Sequence, residues 1–293
     1  MKIGSMFTGC GGIELGLKLD AGLSFTMPWW AEINEDLSVI RLPGTDYDAN
    51  LGDVTTVDWN EQETVDMITA GFPCQPFSTA GGKRGDKDWR WMWPEVAEAL
   101  YYLQPHHLLV ENVTNLVYFD GGRLWQQILD DLDRNGYGVR WLTLGACAVG
   151  CAHHRHRLFF LATLGETGVQ RIRTPFCGVK GRWDVFPTPT HTGSADQLDP
   201  LDLLALRRNL HRYDRAIAIQ AEHYGPPPEM TEIGPRGMSR LSAAFSEWLM
   251  CLPPGHVAGK LPRTQALQVI GNAVCPPQLA EAWRLLTDGQ ELG

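Results

Sequence analysis

The 293-residue chain has no apolar run near the roughly 20 residues that a membrane-spanning helix needs. Its seven cysteines show no disulfide-framework spacing, so we expect reduced thiols and a cytoplasmic setting. There is no internal repeat or low-complexity tract. No signal peptide is predicted, because Lys2–Phe7 runs directly into a strand-like segment. These absences exclude membrane-spanning, disulfide-rich secreted and repeat proteins, and they leave a globular domain with no membrane partner.

The chain also lacks an excess of positive charge, since its net charge is −9 at pH 7. The distribution is uneven. Residues 1–150 carry 10 Lys and Arg against 21 Asp and Glu, whereas residues 151–240 carry 12 against 9. A local basic segment can contact phosphates while the remainder keeps the protein soluble. Such segments are also common as plain solvated surface, so the charge pattern leaves both interpretations open.

Strand and helix patterns alternate over the first 165 residues. The predicted strands are Lys2–Phe7, Ser24–Ile33, Val65–Phe72, His107–Val113, Val139–Val149 and Arg157–Leu164. The predicted helices are Gly11–Ala21, Pro94–Leu103, Arg123–Arg134, Leu201–Tyr213, Leu241–Leu252 and Gln278–Leu286. This alternation predicts an α/β fold with a mostly parallel sheet and helices on both faces. Pro and Gly recur from about residue 165 to 240, which indicates a second, smaller and loop-rich unit.

A proline-flanked cysteine is the most informative local feature. Residues 71–78 read Gly-Phe-Pro-Cys-Gln-Pro-Phe-Ser and follow a buried strand. Because prolines continue neither a central strand nor a helix interior, they hold a defined loop. Cys74 therefore lies at the carboxyl end of a strand, where open α/β sheets keep reactive groups. A lone cysteine in a tight turn is usually inert, but matching chemistry elsewhere favours a nucleophile.

Glu111 supplies the first part of that chemistry. It follows three apolar residues of a predicted buried strand, so we expect burial to raise its pKa and let it hold a proton near neutrality. An exposed glutamate at the strand end is the plainer alternative. Cys74 and Glu111 are predicted at the same sheet edge, which gives a nucleophile and an acid facing one cleft.

A glycine-rich turn, Phe7–Gly12, joins the first strand to the first helix. Such turns let backbone approach a ligand, although many bind none. Glu32 ends the second strand, where a carboxylate can bind both hydroxyls of a ribose. Asp53 is predicted to close a short strand at the same edge and to accept from an adenine amino group. Together these residues outline an adenosine pocket.

The segment His153–Arg157 carries two arginines and precedes a strand. Alternation predicts that His153, Arg155 and Arg157 share one side, where guanidiniums could bind a carbonyl oxygen or phosphates. A zinc site at Cys147, Cys151 and His153 is the alternative. The spacing lacks a Cys-x-x-Cys pair, so we expect no metal.

The ordered series Phe7–Gly12, Gly71–Ser78, Glu111–Val113, His153–Arg157 and Gln268–Val274 resembles the motifs of the DNA C5-cytosine methyltransferases. The resemblance covers nearly the whole chain. It implies a Rossmann-like catalytic domain at residues 1–164 and 265–293, with target recognition and a connecting helix at 165–264. It also implies S-adenosylmethionine as methyl donor, double-stranded DNA with a flipped cytosine as substrate, and a last helix packed beside the first.

The resemblance assigns roles residue by residue. The implied catalytic residues are Cys74, Glu111, Arg155 and Arg157. The implied cofactor contacts are Phe7, Gly9, Cys10, Gly12, Glu32, Asp53, Val54, Pro73, Asn272 and Val274. The implied substrate contacts are Gln75, Ser78, Asn112 and His153.

The chain departs from the family pattern at several positions. His153 stands where glutamine is usual, Ala152 where proline is usual, Ala273 where serine is usual and Cys251 where glycine is common. The rival within the family is its tRNA-methylating branch, whose Cys-Phe-Thr signature this sequence lacks. A DNA-binding module without activity is the rival from another class. We expect a monomer of prokaryotic or phage origin, with a restriction endonuclease as candidate partner.

Overall fold

A computed structural model of the chain describes residues 1–40, 50–73, 91–174, 210–235 and 237–288. The strands are β1 Lys2–Met6, β2 Thr26–Ala31, β3 Met67–Ala70, β4 His107–Val113, β5 Tyr137–Gly145, β6 His156–Leu164, β7 Val169–Arg171, β8 Thr231–Ile233 and β9 Ser239–Leu241. The helices are α1 Gly12–Leu15, α2 Trp93–Leu103, α3 Arg123–Arg134, α4 Leu210–Tyr224, α5 Ala243–Leu249, α6 Arg263–Asn272 and α7 Pro276–Thr287.

In the described part of the chain, seven strands form one sheet in the order β2-β1-β3-β4-β6-β5-β7. Neighbours among β2, β1, β3 and β4 are parallel, whereas β6 runs antiparallel to both β4 and β5. The mostly parallel α/β sheet predicted from the sequence is therefore confirmed. Because β1 to β4 run the same way, their carboxyl ends meet at one edge, and the site is built there.

Both faces of the sheet are buried, which explains the nearly continuous apolar strands. In β4, Leu108 and Val110 pack into a cluster with residues of α2 and α3, while Leu109 packs into a second cluster on the opposite face. That second cluster contains residues of α1, α6 and α7. Alternate side chains of one strand thus contact helices on opposite sides, as the period of two requires.

The last helix packs against the first, as the sequence predicted. Gly12 and Gly16 lie four residues apart where α1 continues into a π-helical turn, Gly16–Asp20. A Cβ at Gly12 would lie 2.5 Å from the carbonyl oxygen of Val274, and one at Gly16 would lie 2.7 Å from that of Pro276. Only glycine lets the two chain ends approach so closely, and the contact joins distant parts of the sequence into one core.

Several predicted boundaries are confirmed and others move. β4 and α3 match the predictions residue for residue. The predicted helix Leu241–Leu252 is shorter, because Ser242 caps α5 by accepting from the Phe245 amide and Cys251 takes a left-handed φ of 56°. The prediction Leu201–Tyr213 lies mostly outside the described residues, and α4 covers the described part.

Asp53 does not close a strand, so that prediction is wrong. It precedes a single 3₁₀ turn, Val54–Thr56, and its Oδ1 accepts from the Thr55 amide at 3.0 Å and the Thr55 hydroxyl at 2.8 Å. Aspartate is favoured at such a position because its side chain satisfies an amide that the turn leaves free.

The loop-rich region contributes α4 and the β8–β9 hairpin. Ala216 of α4 packs in a small cluster with Ala152 and with Phe245 and Trp248 of α5. The buried Gln220 side chain accepts from the Ala152 amide at 2.7 Å and donates to the Trp248 carbonyl at 2.6 Å. α4 is therefore fixed to both the loop before β6 and the helix α5. No helix in the described ranges is long and apolar enough to span a membrane.

Candidate active site

Glu111 and Arg157 form a buried ion pair at the carboxyl end of β4. The Arg157 Nε lies 2.9 Å from Glu111 Oε1, and the two side chains are 17% and 9% exposed. Register explains the contact, since Val113 of β4 pairs with Arg157 of β6 across an antiparallel ladder. Burial raises the pKa of Glu111, and the nearby charges of Arg157 and Arg155 offset only part of that rise. The raised pKa agrees with the sequence-based expectation, and it suits a group that holds a proton near neutrality.

Asn112 ties β4 to the proline-cysteine loop. Its side-chain nitrogen donates to the Phe72 carbonyl at 3.2 Å, and its oxygen accepts from the Val113 amide at 2.8 Å. The side chain is 2% exposed. Both amide groups are used inside the protein rather than toward a ligand, and the substrate contact assigned to Asn112 stays a prediction. Asn112 instead positions the backbone that leads through Pro73, which is exposed, to residue 74.

Three predicted site residues, Cys74, Gln75 and Ser78, lie outside the described residues. Their roles stay predictions. The described range 50–73 ends at Pro73. The ring of Phe72, the residue before it, packs against Trp91 and Trp93, with ring centroids 6.0 Å and 6.1 Å apart. The entrance to the loop is therefore held by an aromatic cluster as well as by Asn112.

Glu32 organises the glycine-rich turn. It directly follows β2, and its Oε2 accepts from the Gly9 amide at 2.8 Å while Oε1 accepts from the Asn34 amide at 2.9 Å. Its own backbone exchanges two hydrogen bonds with the Asn50 side chain, at 3.0 Å and 2.9 Å. A carboxylate oxygen can accept more than one hydrogen bond, so Glu32 keeps capacity for a ligand hydroxyl.

An aromatic wall stands beside this turn. The half-buried Phe7 ring contacts Phe72 edge-on at 6.5 Å and packs against the cluster that contains Val54. Phe7 also adopts a left-handed φ of 55°, which is uncommon for a bulky residue. Phe7, Glu32 and Val54 thus flank the same end of the sheet.

Gly12 and Cys10 are packing positions as well as predicted cofactor contacts, and their backbone contacts with the cofactor stay predictions. Gly12 is buried against the Val274 backbone, which explains its lack of a side chain. Cys10 is 4% exposed, and burial raises the pKa of its thiol to about 12. Its carbonyl accepts from His256 Nε2 at 2.6 Å. Two further predicted cofactor contacts are Val274 and Asn272. Val274 lies beside the turn, whereas Asn272 is the exposed last residue of α6.

His153 and Arg155 are more deeply buried than Arg157, and their roles toward the substrate stay predictions. Arg155 is 2% exposed, and its terminal nitrogens donate to the carbonyls of Gly271 and Ala273 at 2.9 Å and 2.5 Å. His153 is fully buried. The predicted alternation holds, since His154 and His156 are exposed while His153 and Arg155 are buried, although β6 begins only at His156. Arg155 anchors the end of α6, and it acts on Glu111 through its charge.

Three buried polar side chains were not predicted from the sequence. Glu14 of α1 accepts from the Thr69 hydroxyl of β3 at 2.6 Å, and burial raises its pKa. Gln278 of α7 donates to the Leu144 and Arg155 carbonyls at 2.8 Å and 2.7 Å. The signal available for both was a polar residue inside an apolar helical stretch.

The third is Glu247 of α5. It accepts from the amides of Gly255, Val257 and Ala258 at 2.7, 2.5 and 2.9 Å. The loop that Glu247 holds contains His256, and His256 donates to the Cys10 carbonyl in the glycine-rich turn. The connecting helix is thereby linked to the glycine-rich turn.

The fold and this edge define an α/β protein of the Rossmann-like class, with a glycine-rich turn after β1, an acid after β2 and a buried acid near the carboxyl end of β4. Residues 1–192 match the sequence model of the family described as C-5 cytosine-specific DNA methylase. The chain belongs to that family.

Relatives support the assignment. The type II methyltransferase M.BanI of Aneurinibacillus aneurinilyticus is 32% identical over 170 residues, 57% of this chain and 39% of that protein. M.NlaX of Neisseria lactamica is 34% identical over 166 residues, 56% of this chain and 53% of that protein. The chain thus spans about half the length of these relatives or less. The solved structure of the Schizosaccharomyces pombe Dnmt2 methyltransferase shares the fold, with a TM-score of 0.63, 16% identity and coverage of 98% of each chain.

Proposed function

We propose that the chain transfers a methyl group from S-adenosylmethionine to C5 of a cytosine flipped out of a specific duplex DNA sequence, through a covalent bond between Cys74 and C6. The observation that carries the proposal is the buried Glu111–Arg157 pair at the end of β4. Asn112, the next residue, holds the backbone that leads to Cys74. A nucleophile and a proton donor are thereby assigned to one edge of the sheet.

Glu111 is suited to control the proton at N3 of the ring. Burial raises its pKa, so it can carry a proton at neutral pH and give it to N3 as the Cys74 thiolate adds to C6. The proton keeps negative charge from building up on the ring. Arg157 is 17% exposed and remains near enough to the cleft to bind the O2 side of the same base. When Cys74 leaves again, the C5 proton must pass to a base, and the ring regains its double bond.

The glycine-rich turn fits S-adenosylmethionine. Glu32 presents a carboxylate for the ribose hydroxyls, and the Phe7 ring offers an apolar face for the adenine, with Val54 beside it. The cofactor, when bound, supplies a methyl group on a positively charged sulfur. Asp53 and Pro73 complete the proposed set of contacts at this edge. Asp53 is committed to its turn through one oxygen, Oδ1, which leaves Oδ2 for an adenine amino group.

We assign residues 165–264 to target recognition and to the connecting helix. Extruding a base from the duplex costs a few kcal/mol, and Gln75 or recognition loops would fill the gap. The relatives named above are type II methyltransferases, so a cognate restriction endonuclease is the candidate partner. We propose that the chain acts on DNA as a monomer.

Bisulfite sequencing of a plasmid from cells that express the chain tests the activity directly. We expect protected cytosines within one short recurring sequence, and none with Cys74→Ser. If the plasmid stays unmethylated while tRNA from the same cells gains 5-methylcytosine, the RNA-methylating rival is correct. A protein that binds DNA and methylates neither nucleic acid would instead be the inactive binding module.

A further inference from the structure

A cluster of three buried thiols lies outside the proposed active site. Cys151, Cys251 and Cys275 come from the loop before β6, the turn after α5 and the residue before α7. The Cys151 sulfur lies 3.5 Å from that of Cys251 and 3.6 Å from that of Cys275, and all three sulfurs lie within 4.8 Å of one another. Their exposures are 3%, 4% and 0%. Three distant segments therefore bring one soft ligand atom each to one point.

His153 is the candidate fourth ligand beside this cluster, although only the three sulfurs lie within 4.8 Å of one another. It is fully buried and interacts electrostatically with the Cys275 thiol. Neither ring nitrogen has hydrogen-bond geometry to a partner in the described part of the chain. A buried imidazole whose nitrogens make no well-formed hydrogen bond loses its hydrogen bonds to water and gains little in return. A ligand that accepts its lone pair would remove that cost.

Cys251 adds an independent sign of constraint. It adopts a φ of 56°, a left-handed conformation that is strained for a residue with a Cβ. Glycine would relieve that strain. A strained backbone that delivers a thiol to a buried cluster suggests that the thiol has a function, because thiols hydrogen-bond only weakly to one another.

We propose that Cys151, Cys251, Cys275 and His153 bind one zinc ion in a closed, structural Cys3His site. Zinc binds sulfur at about 2.3 Å in tetrahedral geometry, which places neighbouring sulfurs about 3.8 Å apart. The sulfur separations here lie close to that edge length. The site has no place for substrate, since all three thiols are buried. It would fasten the loop before β6, the connecting helix and the last helix together.

This proposal revises the expectation that the chain binds no metal. The sequence-based alternative grouped Cys147 with Cys151 and His153, but the structure separates them. Cys147 lies instead with His154 and His156, in a group whose members are half-buried or exposed. Burial and ligand count favour the first cluster, because soft thiolates in a closed site select zinc.

Metal analysis of the purified full chain, prepared without chelator, tests the site. We expect about one equivalent of zinc. Cys251→Gly removes the thiol and keeps a residue suited to the positive φ, so it should lower zinc affinity at least about tenfold, the minimum expected when even an outer-shell partner is lost. Cys10→Ser is the matched control, because Cys10 is a buried free thiol outside the cluster, and this variant should keep its zinc.

Cobalt substitution in the unmutated protein keeps the test independent of whether a variant folds. Cobalt bound by three thiolates and one imidazole gives strong thiolate charge-transfer absorption and tetrahedral d–d bands. His153→Cys should retain the metal and strengthen the charge-transfer band, because it adds a fourth thiolate. Three results would each overturn the proposal. One is a protein with reduced thiols that takes up neither zinc nor cobalt. Another is zinc lost from Cys10→Ser but kept by Cys251→Gly. The third is a Cys151–Cys251 disulfide in place of bound metal.

Discussion

Gly12 is predicted to be required for packing rather than for ligand approach. In Gly12→Ala the new Cβ would lie 2.5 Å from the Val274 carbonyl oxygen and 2.9 Å from the Val274 nitrogen. Both contacts involve backbone, so no side chain can rotate away. Overpacking of this kind costs about 1–3 kcal/mol. At about 2–4 °C per kcal/mol, the thermal midpoint should fall by about 2–12 °C.

Gly71→Ala is the matched control, because its Cβ would find no atom nearer than 3.8 Å and the residue has no left-handed φ. Its free energy of unfolding should stay within about 0.5 kcal/mol of that of the unmutated protein. Differential scanning calorimetry measures both variants, and titration with S-adenosylmethionine measures binding. The reasoning is refuted if Gly12→Ala keeps its thermal midpoint and loses only cofactor affinity, since the glycine would then serve the ligand.

Three further predictions concern charged groups. Glu32→Ala and Asp53→Ala should each weaken S-adenosylmethionine by about 1–3 kcal/mol in calorimetric titration, because each removes a charged hydrogen-bond acceptor. Arg157→Ala should lower kcat strongly and shift the pH dependence of kcat/KM upward, because losing the guanidinium raises the already elevated pKa of Glu111 further. Glu14→Gln should stabilise the protein at pH 8 and lose that advantage near pH 4 in urea unfolding, since ionising a buried carboxyl destabilises the fold.

The sign for Glu14 follows from its raised pKa. The folded state holds the proton to higher pH than the unfolded state, so stability is full below the unfolded pKa, about 4.3, and falls as pH rises through the folded pKa. This reasoning would be contradicted if the free energy of unfolding of Glu14→Gln depended on pH as that of the unmutated protein does. Asp58→Ala is the control for Asp53, because Asp58 caps a similar turn and should not affect cofactor affinity. If Arg157→Ala left the pH dependence of kcat/KM unshifted, the arginine would not influence the pKa of Glu111.

The fold was largely predictable because its signals are local. His107–Val113 is a continuous apolar run that ends in polar residues, and Arg123–Arg134 ends at an Asn-Gly pair, so both boundaries were predicted correctly. The buried acid at Glu111 followed from the same strand. Asp53 was misplaced because a capped turn and a strand end look alike when only a few residues are considered.

The site was less predictable where its contacts are long-range. Arg155 bonds to carbonyls 116 and 118 residues away, and the Cys151 thiol meets partners 100 and 124 residues away. No local pattern encodes such distances. The period of two predicted that His153 and Arg155 share one side, but it could not predict that both are buried.

The central claim is covalent catalysis by Cys74, and trapping with a modified substrate tests it most directly. Duplex DNA with 5-fluorocytosine at the target, incubated with the protein and S-adenosylmethionine, should form a complex that survives denaturant. Fluorine cannot leave as a proton does, so the thiol stays bonded to C6. Peptide mapping should place the DNA on Cys74, and Cys74→Ser should form no complex. The claim would be contradicted if the protein methylates unmodified DNA yet forms no stable complex, or if the complex persists in Cys74→Ser.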